Sequence, residues 1–133
     1  MIYMLDTNIC IYAIKNKPPK VFAELQKHDP SEICISSVTY AELVYGVEKS
    51  AAVDKNRLAL AMLLADISIL GFDAEAADEY GAIRAHLERN GSPIGPLDMM
   101  IAGHARSRGC TLVTNNVREF ERVPDLLIEN WAE

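Results

Sequence analysis

The sequence predicts an α/β protein: a three-layer sandwich whose central, mostly parallel sheet of four to five strands is flanked by helices. Three observations predict it. Short apolar runs rich in β-formers alternate along the chain with longer segments of helical periodicity. Successive strand candidates are separated by one or more helices, so they cannot be hairpins and pair in parallel. The 133 residues, 50% apolar and 24% charged, are enough for one domain spanning 1–133 with its own core, and their composition excludes a disordered chain. Thirteen Lys and Arg against nineteen Asp and Glu leave a net charge of −6. That balance excludes a general basic field, so a nucleic acid must be held through a local patch or a metal. Cys10, Cys34 and Cys110 are widely spaced, form no C-x-x-C and sit in apolar runs, as reduced core residues do. The longest apolar run, residues 58–65, is far below the ~20 residues of a membrane span. The first residues, Met-Ile-Tyr-Met-Leu-Asp, lack a basic leader region and read as a strand, so a cytoplasmic protein is expected.

Residues 2–5 form the first apolar run, ending at Asp6. A helix is expected over 8–15, and Pro18-Pro19 breaks it and opens another, with Val21, Phe22 and Leu25 as its apolar face. Residues 32–36 are the second strand, followed by helices over 38–48 and 54–65; the latter is apolar nearly all round, as a helix covered on both faces by core or by a partner would be. A third strand is expected over 68–72. Asp73 is a suitable N-cap for a helix reaching 90, in which Ala76, Tyr80, Ile83 and Leu87 step by four, three and four, and Gly91 is its stop. Residues 91–96 carry two Gly and two Pro and must be a loop. A helix over 97–108 closed by Gly109, a strand over 110–114, a short helix over 117–122 and a last strand over 126–129 complete the chain.

Ligands of open parallel sheets bind beyond the carboxyl ends of the strands. Asp6, Thr7 and Asn8 follow the first strand; Ser36, Ser37 and, a turn or so on, Glu42 follow the second; Thr114, Asn115, Asn116 and Glu119 follow the fourth. Asp98 opens a helix after the Gly/Pro loop. Four carboxylates from distant segments thus meet at one rim, an arrangement that needs protons or a cation. Oxygen donors without His or Cys favour Mg²⁺ or Mn²⁺ over Zn²⁺. Each acid also has a plain alternative. Asp6 and Asp98 suit helix starts, and Thr39-x-x-Glu42 and Asn116-x-x-Glu119 fit a capping box or its Asn variant. His28, His86 and His104 have no ligand spacing and read as surface or helix-face residues. Ser36 and Ser37 have no triad partners and read as caps, and Met99 and Met100 read as core. Lys15, Lys17, Lys20, Arg84, Arg89, Arg106 and Arg108 read chiefly as solvated faces, some of them available to phosphate.

Together, Met4-Leu-Asp6-Thr-Asn8, Ser36-Ser-x-x-x-x-Glu42-Leu-x-x-Gly46, Asp98-x-x-Ile-Ala102 and Thr114-x-Asn116-x-x-Glu-Phe120 resemble the PIN-domain ribonucleases, and more narrowly the VapC toxins of type II toxin–antitoxin operons. The resemblance runs over residues 2–131. It implies a PIN fold, Mg²⁺- or Mn²⁺-dependent endoribonuclease activity, a homodimer and neutralisation by a VapB antitoxin. It implies Asp6 and Asp98 as metal ligands, Glu42 as the second-motif acid, and Thr7, Asn8, Ser37, Thr114 and Asn116 as supporting residues. The family commonly has Asp at position 116; here it is Asn, and Glu119 is the substitute acid. Within the family the chain looks most like those cutting initiator tRNA in its anticodon loop. Two other readings stand beside this one: a catalytically silent PIN-like module that binds RNA or protein, and an aspartyl-phosphate hydrolase, which wants an Asp where Asn8 stands.

Overall fold

The computed structural model describes residues 2–133. Among them the chain runs β1 (Tyr3–Leu5), α1 (Thr7–Lys15), α2 (Pro19–Leu25), a single 3₁₀ turn (Pro30–Glu32), β2 (Ile33–Ser36), α3 (Ser37–Glu48), α4 (Val53–Leu64), β3 (Ser68–Leu70), α5 (Ala74–Arg89), α6 (Pro96–Arg108), β4 (Thr111–Val113), α7 (Val117–Phe120) and β5 (Leu127–Glu129). The five strands lie in the order β3-β2-β1-β4-β5, every pair parallel. From β1 the chain builds outward on one side through β2 and β3, then returns to add β4 and β5 on the other. The reversal lies between β1 and β4, where such sheets open a crevice for ligands.

Local chemistry sets the helix limits. Asp6, Ser36 and Asp73 accept the N–H groups of Ile9, Val38 and Ala76 as N-caps, and Pro19 and Pro96 occupy first-turn positions where no N–H is needed. Asn16, Gly91 and Gly109 take the left-handed conformation that ends α1, α5 and α6. In each case the next residue's N–H reaches back to a carbonyl five residues earlier: Lys17 to Tyr12, Ser92 to Leu87 and Cys110 to Ala105.

Strand alternation divides the core into two layers. Met4, Cys34 and Leu112 face one way and pack with Ile83 and Leu87 of α5 and Met99 and Ile101 of α6. Leu5, Ile33, Ile35 and Val113 face the other, with Ile9 of α1, Val21 of α2, Leu43 of α3 and Leu60 of α4. The three-layer parallel sandwich expected from the sequence is therefore present, with five strands.

Several expectations are corrected. Phe22 is not part of a buried face: it is 38% exposed while Val21 is fully buried. Helix α4 is covered by the chain's own core on one side only, so of the two covers expected for it, core or partner, core does not supply both; Leu60 alone is buried, and Leu58 and Met62 are 63% and 71% exposed. The third strand stops at Leu70 rather than 72, because the Phe72 N–H donates to Ser37 Oγ (3.0 Å) in place of a ladder bond. Cys110 lies outside β4 because its N–H closes the turn after α6. The three cysteines are buried and free, as expected.

Helices α5 and α6 approach so closely at Gly103 that an added Cβ would lie 2.7 Å from the Tyr80 nitrogen and 2.9 Å from its Cα. Alanine gains about 1 kcal/mol of helix propensity over glycine, but the obstacle is backbone and cannot rotate away. Gly103→Ala is expected to lose roughly 1–3 kcal/mol net, seen as a lower urea midpoint with an unchanged slope. An unchanged midpoint would show that the helices have room to separate.

Candidate active site

Asp6 stands at the carboxyl end of β1, beside the end of β4. Its N–H donates to the Val113 carbonyl (3.0 Å), extending the β1–β4 pairing by one residue. Its carboxylate is 5% exposed and its oxygens have separate partners: Oδ1 accepts the Ile9 N–H (2.9 Å) and Oδ2 accepts the Thr114 hydroxyl (2.5 Å). Thr114 in turn accepts the Asn116 N–H (2.9 Å), fixing the chain as it leaves β4.

Glu42 reaches the rim from α3, where Oε1 accepts the Thr7 hydroxyl (2.7 Å) from the first residue of α1. The capping-box reading of Thr39-x-x-Glu42 is thereby corrected. Ser36 is the cap, and the Thr39 hydroxyl is buried without a hydrogen-bond partner. Asp98 is not a cap either; the N-cap position of α6 is Gly95, and the Asp98 carboxylate folds back toward it within the first turn. Asn116 occupies the N-cap position of α7, yet its side chain makes no capping bond, which corrects the expectation that it caps this helix. Of the four capping alternatives, that for Asp6 holds, and Asp98, in the first turn of α6, stands where it serves that helix's dipole.

Electrostatics join the four acids. Burial pushes the Asp6 carboxyl up to about 6, against the hydrogen bonds from Thr114 and Ile9, and the charges of Asp98 and Glu42 push the same way. Asp98 is half-buried and also raised, first by burial and then by the charges of Glu119 and Glu42. Glu119, on the single turn of α7, thus belongs to the field of Asp98. Among the described residues no three of these groups close into a ready-made metal cage. The donor set is oxygen only and partly open, which suits a hard cation that keeps its waters and takes one or two carboxylates.

A groove of about 790 Å³ begins at this rim, lined by Thr7, Asn8, Ser37 and Glu42, and continues past Tyr45, Lys49, Leu97 and Met100. Tyr45 and Lys49 escaped the sequence reading, although their spacing of three and seven residues from Glu42 on one helix face was available to it. His104 is corrected from a surface or helix-face residue to a fully buried one, with Nδ1 2.7 Å from Ser36 Oγ. His28 is stacked on Trp131 at 4.9 Å, remote from the acids in the chain.

Comparison with known proteins identifies the family. The PIN domain model matches residues 3–126. A tRNA(fMet)-specific endonuclease VapC of Shigella flexneri is 53% identical over 130 residues, 98% of each chain. The chain belongs to the PIN-domain family of VapC ribonucleases. A ribonuclease VapC2 of Rickettsia felis is 46% identical over 132 residues, again 98% of each chain. Among solved structures, a DNA-bound VapBC of Salmonella typhimurium superposes with a TM-score of 0.92 at 49% identity, covering 98% of both chains. In this PIN domain, Asp6 directly follows β1, Glu42 lies midway along α3, Asp98 lies in the first turn of α6, and Glu119 lies on α7.

The raised Asp6 carboxyl gives the metal-free protein a pH signature. Between about 4 and about 6 the folded state keeps a proton that the unfolded chain, with its ordinary value of 3.8, has released. Folding is therefore favoured below this window, and that stabilisation is lost as pH rises through it, by about 3 kcal/mol at most. Asp6→Asn retains a carbonyl oxygen for the Ile9 N–H and removes the charge. In EDTA its melting temperature is expected to match wild type near pH 4 and exceed it at pH 7; parallel curves across this range would show that the charge is not strained.

Proposed function

We propose that the chain is an Mg²⁺- or Mn²⁺-dependent endoribonuclease, the toxin of a VapBC-type pair. It hydrolyses phosphodiester bonds of tRNA, initiator tRNA in its anticodon loop being the first candidate. The observation that carries this reading is that Asp6 and Asp98 are both raised, first by burial and then by neighbouring acids that include Glu42 in each case, a strain that a divalent cation relieves. The Shigella relative's name supports tRNA as substrate, and the VapBC structures support an antitoxin partner.

Asp6 and Asp98 would hold the ion, Asp6 with its ring of hydrogen bonds fixing direction and Asp98 from the mouth of α6. When bound, the ion lowers the pKa of an attacking water and offsets charge on the scissile phosphate. Glu42 has Oε1 engaged by Thr7, which leaves Oε2 to take a proton from that water. Glu119 adds negative charge on the Asp98 side, where the family more often has Asp at position 116. Water as nucleophile leaves 5′-phosphate and 3′-hydroxyl ends. The protein acts in the cytoplasm as a homodimer, and the exposed Leu58 and Met62 of α4 offer apolar surface for a VapB antitoxin or a second copy. An antitoxin arginine can occupy the acidic rim, since guanidinium pairs bidentately with carboxylate. A silent binding module has no use for the strained acids, and Asn116, which alone favoured it, has Glu119 three residues away.

Cleavage of tRNA with and without EDTA tests the reading directly. Asp6→Asn and Asp98→Asn are each expected to reduce cleavage by about 100-fold or more while remaining folded. Growth arrest on expression should disappear with the same variants; arrest undiminished by Asp6→Asn would place the toxicity elsewhere. A Mg²⁺ titration separates the two candidates for the fourth position. Glu119→Gln should need more Mg²⁺ for half-maximal rate, whereas Asn116→Ala should leave stability within about 0.5 kcal/mol, since its side chain caps nothing. If Glu119→Gln titrates like wild type, the site runs on Asp6, Glu42 and Asp98.

A further inference from the structure

The groove leaving the acidic rim contains a pair of side chains that the cleavage chemistry does not use. Tyr45 is 64% exposed, an unusual state for an aromatic residue on a helix otherwise packed on a core. The Lys49 ammonium lies 4.8 Å from the centre of its ring, on the next turn of α3. Among the described residues Lys49 enters no ion pair, whereas Arg57, Arg84, Arg106 and Arg108 each have an acidic partner. Both Tyr45 and Lys49 line the groove that Thr7 and Glu42 open, and Leu97 and Met100, flanking Asp98 on α6, line it too. Glu42, Tyr45 and Lys49 therefore follow one another along a single helix face, about 4.5 and 10.5 Å of axial rise from the acid.

We propose that Tyr45 and Lys49 form a base-stacking subsite that holds an unpaired nucleotide of the RNA beside the scissile phosphate. A solvent-exposed ring with a cation over one face leaves the opposite face to a base and offers a positive charge to its phosphate. The apolar residues Leu97 and Met100 line the same groove and favour a base over a second phosphate. Charge sets the direction. The acids repel a polyanion at one end of the groove, and Lys49 attracts it at the other. Base-paired RNA keeps its faces stacked and cannot use such a platform, so the subsite selects loops and single strands. This inference rests on the acidic rim being the cleavage centre.

The test uses tRNA and a single-stranded RNA oligonucleotide at fixed Mg²⁺. Tyr45→Ala is expected to raise KM about five-fold or more with kcat within about two-fold, and Tyr45→Phe, which keeps the ring, to restore it. Lys49→Gln should weaken binding most at low salt and reduce the slope of log(kcat/KM) against log salt by about 0.7. An abasic strand, which has phosphates and nothing to stack, should compete equally well against wild type and Tyr45→Ala. An unchanged KM in Tyr45→Ala overturns the subsite, as does a fall in kcat alone. So does a shift in that variant's oligomeric state on gel filtration, which would show Tyr45 covered by a second copy. If wild type cuts no RNA, the cleavage reading fails separately. The anisotropy of the labelled strand then decides the subsite alone, and a Kd unchanged by Tyr45→Ala overturns it.

Discussion

The Asp6 carboxylate ties together three parts of the molecule. One oxygen caps the start of the helix that follows β1, the other takes the hydroxyl of Thr114 just past β4, and the Asp6 N–H continues the β1–β4 pairing. A charge this buried is unfavourable on its own, and two hydrogen bonds offset only part of the cost. The residue that starts α1 is thus also the residue held in tension at the rim. An uncharged cap such as Ser or Asn would serve the helix equally well. A buried carboxylate here costs the fold more than capping α1 requires.

The remaining acids depend on how rigidly their helices are placed against that point. Glu42 is oriented by Thr7, the residue next to Asp6, so the two acids share one local frame. Asp98 is set by α6, which is locked against α5 at Gly103 and joined to the β2–α3 junction by the His104–Ser36 contact. Burial lowers the His104 pKa, and the Arg108 charge acts in the same direction, so the ring stays neutral within this buried link. Since Ser36 also caps α3, one side-chain contact couples the helices that carry Asp98 and Glu42. Glu119 hangs on a single helical turn whose start rests on the Asn116 N–H bond to Thr114.

Fold and rim were largely legible in the sequence because they rest on local signals. Apolar runs such as 2–5 and 32–36 mark buried parallel strands, Asp73 and Gly91 mark helix ends, and an acid after a strand marks the rim. What was not legible depended on tertiary partners. Glu42 fits a capping box by spacing, yet Thr7, thirty-five residues away, claims its oxygen. Asn116 sits where a cap belongs, yet the chain there is held by the Thr114 hydroxyl, which accepts the Asn116 N–H. Residues 58–65 read as covered by core or by a partner because hydrophobicity alone does not say which neighbour a helix at the edge of a fold has. His104 looked like a solvent residue because its partner, Ser36, lies sixty-eight positions earlier.

The charge distribution explains how an acidic protein can address a polyanion. Most arginines are spent locally: Arg106 on Glu79, Arg108 on Asp73, Arg84 on Glu88 and Arg57 on Glu48. Such surface pairs add little stability, but they remove positive charge from the outer field. Two lysines near Glu42 are left outside these pairs: Lys49 in the rim groove, and Lys15 in a second groove of about 290 Å³ that also touches Glu42. At physiological ionic strength charges act over only about 8 Å, so the distant negative surface is screened while these two cations and any ion at the rim are not. A net charge of −6 then suppresses indiscriminate binding of nucleic acid without preventing capture at this one place.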